Sequence, residues 1–291
     1  MRTIILGTDW GSDCDDAVAV RMITRAALNE EINLAAICIN QCLENSVASL
    51  DGFLTKEGMR VPIGLDKDIT EGESSYQKKL VRYASTYRSN EDAEDAVALY
   101  RKVLSEAKGK IDIIEIGFLQ VIAKVLDSKP DSISDMTGVD LFKQKVSRVW
   151  VMAGKWDEDG GREYNICFND VSKKAAHVLC EKCPVPIVFL GWEVGNDVIT
   201  GSDLKKDDIL FQVMSDHGSV HGRCSWDPML VSVALCGEPQ KLGYRMVQGK
   251  ACINKKSGGN FFTIKEDGQH YYLIRMYEPQ YYARYIDQKI R

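Results

Sequence analysis

The sequence predicts an α/β protein built on a mostly parallel, open sheet with helices on both sides. Short apolar runs rich in β-branched residues alternate along the chain with stretches of helical periodicity, and these runs are too apolar to leave one strand face in water. Strands of that kind are typical of parallel sheets whose two faces are covered by helices. The length of 291 residues fits one α/β unit, so we predict a single domain over residues 1–291.

Strand and helix patterns follow one another in pairs along most of the chain. The strands are predicted at residues 3–6, 34–39, 111–116, 146–152 and 185–190, and the helices that follow them at residues 17–28, 46–54, 119–126, 171–179 and 204–214. Asn90 and Asp170 precede long helical patterns and are predicted helix N-caps, because their side chains can accept hydrogen bonds from a first helical turn. The polar segment 71–89 is expected to be a mobile loop.

The alternation of strand and helix patterns ends near Gly243. Two stretches rich in aromatic and β-branched residues follow from there. The first reads GYRMVQGKACIN, and the second reads NFFTIKEDGQHYYLIRM and is interrupted by Asp267-Gly268. An Asp-Gly pair between such runs is a hairpin signal, so we predict a C-terminal β-hairpin that turns at this pair. An amphipathic helix is predicted over residues 278–290.

Composition and charge argue against several classes of protein. Lys and Arg total 37 against 42 for Asp and Glu, and the formal net charge of -5 offers no basic field for nucleic acid. No apolar run approaches the roughly 18 residues that span a membrane, and acidic residues near the amino terminus interrupt any signal-peptide core. Nine cysteines, with one CxxC pair at Cys180 and Cys183, argue against a disulfide framework and for a reduced, cytoplasmic protein.

The chemistry is predicted at the turn that follows the first strand. The sequence GTDWGSDCDDAVAV places Asp9, Asp13, Asp15 and Asp16 there, and ligands bind at the carboxyl ends of strands in parallel sheets. Carboxylates this close repel one another unless a cation neutralises them, and hard oxygen ligands without His or thiolate select Ca²⁺ or Mg²⁺. A divalent metal site is therefore predicted. The structural alternative is that Asp15 or Asp16 only caps the following helix.

These residues resemble the signature of a known family. The segment DWGSDCDDAVAV is similar to the amino-terminal motif of the inosine-uridine preferring nucleoside hydrolases, which cleave the N-glycosidic bond of ribonucleosides with a bound Ca²⁺. Further segments match in the same order: ICIN, VPI, IEIGFLQVIAKVL, VWVMAGKWDEDGGREYNICFNDVSKKAAHVL and SWDPMLVSVAL. The resemblance covers most of the chain and is weakest over residues 71–104. It implies a nucleoside hydrolase-like fold with a Rossmann-like core.

The resemblance also implies a role for each residue that matches the family's motifs. Asp9 matches the group that binds Ca²⁺ and that orients and deprotonates the attacking water. The other metal ligands match Asp16, Asp227 and the backbone carbonyl of Ile116. The groups that hold the ribose match Asp15, Asn40, Glu163 and Asn165, with Met152 lining the same pocket. The implied substrate is a small-molecule nucleoside, and the implied assembly is a homodimer or homotetramer.

The sequence departs from the family's usual pattern near both ends of the site. Gly7 stands where an acid often opens the motif, and two extra residues, Asp13 and Cys14, separate Asp9 from the Asp-Asp pair. Trp226 stands where the inosine-uridine enzymes carry a His that protonates the leaving base. An indole cannot donate that proton, but it stacks on a protonated purine by cation–π attraction, which predicts a preference for purine nucleosides. The structural alternative is that Trp226 is a core aromatic at a helix start.

The remaining groups around the base are open at this point. His221 is the histidine closest to the site along the chain and could act as a substitute general acid. Trp156 or a tyrosine from residues 74–87 could supply a second aromatic face for the base. Asp13 has no counterpart in the usual motif and no assigned role.

Functions from three classes are compatible with these residues, and their products separate them. The first is a Ca²⁺-dependent nucleoside hydrolase, which releases free base and ribose. The second is a non-catalytic homologue that binds a nucleoside or ribosyl compound without turnover, suggested by the missing His and the altered first motif. The third is a metal-dependent phosphohydrolase of the DxD type, which Gly7 disfavours because it removes the first acid. We predict the first.

Overall fold

The computed structural model describes residues 1–291 and is built around a ten-stranded sheet. The strands are β1 (Arg2–Thr8), β2 (Ile32–Ile39), β3 (Ile63–Leu65), β4 (Glu94–Asp95), β5 (Ile111–Glu115), β6 (Val146–Met152), β7 (Ile187–Leu190), β8 (Ile199–Thr200), β9 (Arg223–Cys224), β10 (Tyr244–Ile253), β11 (Asn260–Ile264) and β12 (His270–Arg275). The helices are α1 (Asp15–Leu28), α2 (Ser46–Glu57), α3 (Gln77–Leu80), α4 (Ala96–Glu106), α5 (Gln120–Asp127), α6 (Gly138–Lys145), α7 (Tyr164–Cys167), α8 (Asp170–Lys182), α9 (Trp192–Gly195), α10 (Ile209–His217), α11 (Trp226–Cys236) and α12 (Pro279–Ile290). β8 and β9 form a separate two-stranded ribbon.

The order of strands in the large sheet is β11-β10-β12-β7-β6-β5-β1-β2-β3-β4. From β12 to β4 every neighbouring pair is parallel, which confirms the predicted fold class. β1 lies inside the sheet between β5 and β2. Because the strands are parallel, the residues that follow β1, β5 and β6 meet at one edge of the sheet, where ligands of such folds bind.

Alternate residues of β1 face two different layers of helices. Ile4 and Leu6 are buried in a hydrophobic cluster that includes residues of α1, α2 and α11. Ile5 is buried in a second cluster that includes residues of α4, α5 and α8. Because neither face of the strand meets water, both faces must be apolar, and this is the physical reason for the nearly continuous apolar runs in the sequence.

The predicted antiparallel strands at the C-terminal end are present, but their tight turn lies elsewhere. β10 pairs antiparallel with β12 along its first half and with β11 along its second half. The chain reverses between β10 and β11, where Asn254 Oδ1 accepts backbone N–H groups at 3.0 and 3.1 Å and Gly258 has a φ of 76°. Asp267-Gly268 joins two strands that both pair with β10. The expectation that the hairpin turns there is wrong, because the Asn254 turn reverses the chain first.

The segment 71–89 is irregular over most of its length, as expected of a loop, but its middle is helical and partly buried. It contains α3, and Tyr76 and Leu80 are fully buried. The Tyr76 ring packs edge-to-face on Trp10 with 5.5 Å between centroids, and its hydroxyl donates to the backbone carbonyl of Asp13 at 2.9 Å. A few buried side chains therefore anchor a polar segment onto the turn between β1 and α1.

Neither Asn90 nor Asp170 is the N-cap of the helix that follows it, so both predictions are wrong. α8 begins at Asp170, and Asn169 before it is the cap, since its side chain accepts two N–H groups of the first turn. Asp95 caps α4. Asn90 instead accepts the N–H of Val47 at 3.1 Å, near the start of α2. Sequence order suggested the next helix along the chain, but the fold brings a different helix start to Asn90.

The lengths of the helices and the state of the cysteines relate to the predictions about membrane spans and disulfides. α1 is the longest helix at 14 residues. No helix is both long and apolar enough to cross a membrane. All nine cysteines are free thiols, and Cys180 of the CxxC pair is buried in α8.

Glu115, the last residue of β5, is a fully buried acid. Its Oε1 accepts the hydroxyl hydrogen of Tyr100, and its Oε2 has no hydrogen-bond partner. The carboxyl group fills the space beside Gly7 on β1, where any side chain would collide with it. Glu115 pairs with Gly7 across the two neighbouring strands, so an acid lies at this position of the sheet although Gly7 has no side chain.

We expect Glu115→Gln to flatten the dependence of stability on pH. Burial raises the pKa of Glu115 from 4.5 to about 8, although the hydrogen bond from Tyr100 opposes this. Between pH 4.5 and about pH 8 the unfolded chain releases the proton of this carboxyl group, whereas the folded protein keeps it. The free energy of unfolding therefore falls as pH rises through this range. The variant lacks this titration, and its stability relative to wild type should rise by at most about 1.4 kcal/mol per pH unit.

Urea unfolding of both proteins across roughly pH 5 to 8 measures this difference. Glu158→Gln, which alters an exposed acid, is the matched control and should follow the wild-type profile. Parallel profiles for wild type and Glu115→Gln would show that Glu115 is ionised in the folded protein at neutral pH.

Candidate active site

A cavity of about 430 Å³ lies at the edge of the sheet where β1, β5 and β6 end. Most of the residues predicted from the sequence line it: Asp9, Asp15, Asp16, Ile116, Met152, Glu163, Asn165, Trp226 and Asp227. Of the residues to which the resemblance assigns a role, Asn40 alone does not reach the wall. The parallel sheet assembles these distant segments, because its strands end at a common edge.

The turn between β1 and α1 is held in place by its own tryptophan. Trp10 is fully buried among other aromatic rings, and its Nε1 donates to Ser49 Oγ at 2.9 Å. Gly11 follows with a φ of 121°, a backbone conformation that glycine adopts without strain. This anchor leaves Asp9 at the cavity wall, where Ser12 Oγ donates to Asp9 Oδ2 at 2.8 Å.

The acid cluster of the cavity consists of Asp9, Asp15, Asp16 and Asp227, which are 4, 3, 1 and 4% exposed. Carboxylate oxygens of Asp15, Asp16 and Asp227 lie within 4.8 Å of one another. Asp15 Oδ2 accepts the backbone N–H groups of Trp226 and Asp227 at 3.2 Å each, and Asp16 accepts the hydroxyl hydrogen of Thr8. α1 has no side-chain cap. The structural alternative for the acid pair is therefore wrong: Asp15 caps the distant helix α11.

The electrostatics of the acid cluster favour a cation. Burial, and after it repulsion from neighbouring carboxylates, raises the pKa of Asp15, Asp16 and Asp227 well above the usual value. Burial also raises the pKa of Asp9 to about 6, against the hydrogen bond from Ser12. A buried set of carboxylate oxygens without His or thiolate suits a hard divalent cation. The residues present thus fit the metal that the family resemblance implies.

Glu163 and Asn165, at the start of α7, are held rigidly by hydrogen bonds, some of them to backbone groups near the end of β6. Glu163 Oε2 accepts the N–H of Gly154 at 3.0 Å, and Oε1 accepts the N–H of Asn165 at 2.7 Å. Asn165 Nδ2 donates to the backbone carbonyl of Met152 at 2.9 Å. Burial raises the pKa of Glu163 to about 7, although these backbone N–H groups oppose it. Both side chains therefore present fixed polar atoms to the cavity.

Asn40 lies just behind the cavity wall, beside Asp9. It is fully buried, and its Oδ1 accepts the N–H of Phe118 at 3.0 Å. A side chain on Gly117 would lie against both Asn40 Oδ1 and Asp9 Oδ1, so glycine permits this close approach. Asn40 Nδ2 has no hydrogen-bond partner. A buried donor left unpaired is costly, and it indicates a polar group that the protein chain does not supply.

Two indoles flank the acids of the cavity. Trp226, the first residue of α11, is half-buried and lines the cavity, so the alternative that it is a core aromatic is wrong. Trp192 lies nearly parallel to it, with 6.5 Å between ring centroids and 24° between planes. Trp226 Nε1 donates to the backbone carbonyl of Trp192 at 2.9 Å, which fixes the pair.

The second aromatic face is not where the sequence suggested. Trp156 is 7% exposed and packs against Phe189 and Phe262, away from the cavity. No tyrosine from residues 74–87 lines the cavity either. Trp192 was missed, although a signal existed: it lies two residues after the end of β7, at the carboxyl end of a parallel strand.

The basic groups of the cavity also differ from the expectation. His221 is exposed and does not line the cavity, so its candidacy as a general acid is wrong. His217, the last residue of α10, does line it, and its Nε2 lies 3.6 Å from Asp13 Oδ1. Arg223 lines the cavity as well and forms a salt bridge with Asp13 at 2.5 Å. Asp13, unassigned from the sequence, therefore orders basic side chains at the cavity wall.

Comparisons with known proteins identify the family of the chain and its fold. The model of the family described as inosine-uridine preferring nucleoside hydrolase matches residues 4–253. The inosine-uridine preferring nucleoside hydrolase from Bacillus anthracis is 13% identical, with a TM-score of 0.68 over 99% of this chain and 100% of that one. The purine-preferring ribonucleoside hydrolase from Gardnerella vaginalis is 14% identical, with a TM-score of 0.72 over 99% of both chains.

A third similar structure belongs to a protein of a different kind. The type III effector protein XopQ, solved in complex with adenosine diphosphate ribose, is 13% identical, with a TM-score of 0.65 over 99% of this chain and 93% of that one. No curated protein matches the chain in sequence. At these identities the solved structures show a shared fold, and the family assignment comes from the family model.

Proposed function

The chain belongs to the inosine-uridine preferring nucleoside hydrolase family, and we propose that it hydrolyses the N-glycosidic bond of purine ribonucleosides in a Ca²⁺-dependent reaction that gives free base and ribose. The family and the fold support ribonucleoside hydrolysis. The observation that carries the finer proposal is the make-up of the cavity, which is lined both by a buried acid cluster and by two stacked indoles. Carboxylates suit a cation and a sugar, and indoles suit a flat base.

Asp9, Asp16 and Asp227, together with the backbone carbonyl of Ile116, are the proposed ligands of Ca²⁺. All of them line the cavity. The raised pKa values of Asp16 and Asp227 support the proposal, because they reflect buried negative charge that a cation would neutralise. When bound, the ion supplies a template for the ribose hydroxyls and makes water more acidic.

Asp9 is the proposed general base. Ser12 Oγ donates to one oxygen of its carboxylate and so fixes the orientation of the group. The other oxygen is available to accept the proton of the attacking water. As the bond from the sugar to the base breaks, positive charge grows on the ribose, and the nearby carboxylates lower its energy.

Asp15, Asn40, Glu163 and Asn165 are proposed to hold the ribose. The unpartnered Nδ2 of Asn40 supports this role, because a sugar hydroxyl could accept its hydrogen bond. Rigid binding of the sugar lowers the barrier by placing the reacting carbon next to the water. A site built around hydroxyl groups should discriminate against a 2′-deoxynucleoside by about 100-fold or more, because its buried polar groups would lose their partners.

The two indoles, Trp226 and Trp192, are proposed to bind the base. A purine offers a larger flat surface to an indole than a pyrimidine does, so it buries more area against the ring. The G. vaginalis structure, described as purine-preferring, has the same fold. These observations support a purine preference for this chain.

The deciding experiment is to measure the release of free base and ribose from inosine, guanosine, adenosine and uridine. With Ca²⁺ we expect hydrolysis of purine nucleosides, slower hydrolysis of uridine by about 10-fold, and loss of activity after chelation. 2′-Deoxyinosine tests the ribose contacts in the same assay.

The same assay tests the second candidate function, a non-catalytic protein that binds a nucleoside or ribosyl compound. XopQ, solved with adenosine diphosphate ribose, makes this alternative concrete for the shared fold. Saturable binding of a nucleoside by the Ca²⁺-loaded protein without any turnover would select it. Release of phosphate from a nucleotide would select a phosphohydrolase instead.

The cellular setting and assembly belong to the same proposal. Nine free thiols support a reducing, cytoplasmic environment. A homodimer or homotetramer is proposed from the family, and light scattering of the purified protein at several concentrations tests it. Residues 1–291 are proposed to fold as a single domain.

A further inference from the structure

Asp13 and Arg223 line the cavity but have no task in the reaction proposed above. Asp13 belongs to the two residues that lengthen the acidic motif, and Arg223 lies three residues before α11. Arg223 Nε donates to the two oxygens of Asp13 at 3.0 and 3.1 Å, and Nη2 donates to Oδ2 at 2.5 Å. Two nitrogens bound to one carboxylate fix the plane of the guanidinium, which a single contact would leave free to rotate.

This contact leaves one edge of the guanidinium open. Asp13 occupies the edge formed by Nε and Nη2, and Nη1 donates no hydrogen bond to any residue. The guanidinium carbon lies 5.3 Å from the centroid of the Trp226 ring, within the range of a cation–π contact. The Arg223 side chain is 34% exposed and lines the cavity. A fork of N–H donors, Nη1 and Nη2, is therefore presented beside the indole that is proposed to bind the base.

The fork can only donate hydrogen bonds. The hydrogen bond and charge of Asp13 raise the pKa of Arg223 further above its already high value, so the group stays charged. A donor-only fork fits two neighbouring acceptors, and the N7 and O6 atoms of a 6-oxopurine are such a pair. Adenine places an amino donor next to N7, so one arm of the fork would meet another donor. A pyrimidine has no N7 and offers no equivalent pair.

We propose that Arg223, positioned by Asp13, selects 6-oxopurine ribonucleosides such as inosine and guanosine by binding N7 and O6 of the base. This inference rests on the proposed function, because it assumes that a ribonucleoside base lies against Trp226. In the reaction the bond between C1′ and N9 breaks and its electron pair stays on the base. The water oxygen bonds to C1′, one water proton goes to Asp9, and the base takes up a proton from solvent. Arg223 stabilises the negative charge on the departing base, most effectively where O6 shares that charge.

The test compares kcat/KM for inosine and adenosine in wild type, Arg223→Met, Asp13→Asn and the double variant. Wild type should prefer inosine, and Arg223→Met should reduce kcat/KM for inosine by about 10- to 100-fold while changing that for adenosine less than about 3-fold. Asp13→Asn should also lower the ratio of kcat/KM for inosine to kcat/KM for adenosine, but by a smaller factor. It should have no further effect on that ratio in the Arg223→Met background, because a positioning residue acts only through its partner.

His221→Gln, which alters an exposed side chain of the same loop outside the cavity, is the matched control and should keep the wild-type ratio. Arg223→Lys keeps the charge without the planar fork, so it should lose most of the preference for inosine. Thermal melting of every variant excludes unfolding as the cause of a change.

The failure of this inference can be told apart from the failure of the proposed function. Equal losses for inosine and adenosine in Arg223→Met would overturn base selection by Arg223 and leave the hydrolase intact. If no nucleoside is turned over, the proposed function fails. The inference about Arg223 is then tested by the binding of inosine and adenosine alone, measured by the quenching of tryptophan fluorescence. Tighter binding of inosine that is lost in Arg223→Met supports the inference, and equal binding of both nucleosides by wild type overturns it.

Discussion

Replacing Asp9 with asparagine is expected to lower kcat for nucleoside hydrolysis by about 1,000-fold or more without unfolding the protein. The amide keeps the shape of the side chain and can still accept the hydrogen bond from Ser12 Oγ, so the turn after β1 should survive. The variant loses the negative charge that accepts a proton from water. It also loses one of the charges that would hold the cation.

A Ca²⁺ titration separates these two losses. A defect in metal binding alone would be restored at saturating Ca²⁺, whereas a missing proton acceptor leaves kcat low at saturation. Asp159→Asn, which neutralises an exposed acid outside the cavity, should retain the wild-type kcat. An Asp9→Asn protein with near wild-type kcat at saturating Ca²⁺ would rule out Asp9 as the general base.

The second large effect is expected at Asp227, where asparagine should stabilise the metal-free protein and abolish its stabilisation by Ca²⁺. Burial, and then repulsion from Asp15 and Asp16, raises the pKa of Asp227 well above 3.8. As pH rises above that ordinary value, the unfolded chain releases a proton that the folded protein retains, and the metal-free protein loses stability. An amide does not titrate, so the variant avoids this loss at neutral pH.

Added Ca²⁺ should reverse the order of the two proteins. A ligand at about 100 times its Kd stabilises the folded state by about 2.7 kcal/mol, which raises Tm by roughly 5 °C for a protein of this size. Thermal melts at neutral pH, with EDTA or with Ca²⁺, should therefore show the variant melting higher in EDTA and lower in Ca²⁺. Asp207→Asn, an exposed control, should melt like wild type in both buffers. If Asp227→Asn gained as much from Ca²⁺ as wild type does, Asp227 would not be a ligand.

The fold and the acid cluster could be predicted because their signals are local or ordered along the chain. The apolar run that became β1 is followed at once by the aspartates of the cavity, and a parallel sheet leaves one edge at which they can meet. Asp227 was found through the order of matching segments, and the structure brings it to Asp15 and Asp16. The ligand roles themselves stay predictions until a metal is measured.

Trp226 could be predicted for the proposed base-binding side, but its pairing with Trp192 could not, because that pairing depends on contacts between distant segments. Trp192 faces Trp226 only because α9 and α11 pack together, and no pattern in the sequence links them. His217 and His221 are four residues apart, but α10 ends at His217 and carries that ring to the cavity. Distance along the chain favoured His221, and helix geometry decided otherwise.

The predictions of the helix cap and of the hairpin turn were wrong for a related reason. Asn90 has the chemistry of a helix cap, but tertiary packing decides which helix it serves, and it bonds at the start of α2. Asp267-Gly268 is a valid turn signal that competes with Asn254 and Gly258 earlier in the chain. Local preference identifies residues that can make a turn or cap, and the global arrangement determines which of them do so.

The hydrogen bonds that Asp15 accepts from the start of α11 have a consequence for biosynthesis. They join residues 211 and 212 positions apart. A ribosome delivers the amino-terminal half first, so the nascent polypeptide carries its crowded aspartates long before the segment that completes their surroundings has been translated. Catalytic competence should consequently emerge late in synthesis, and products of interrupted translation should be inert towards nucleosides.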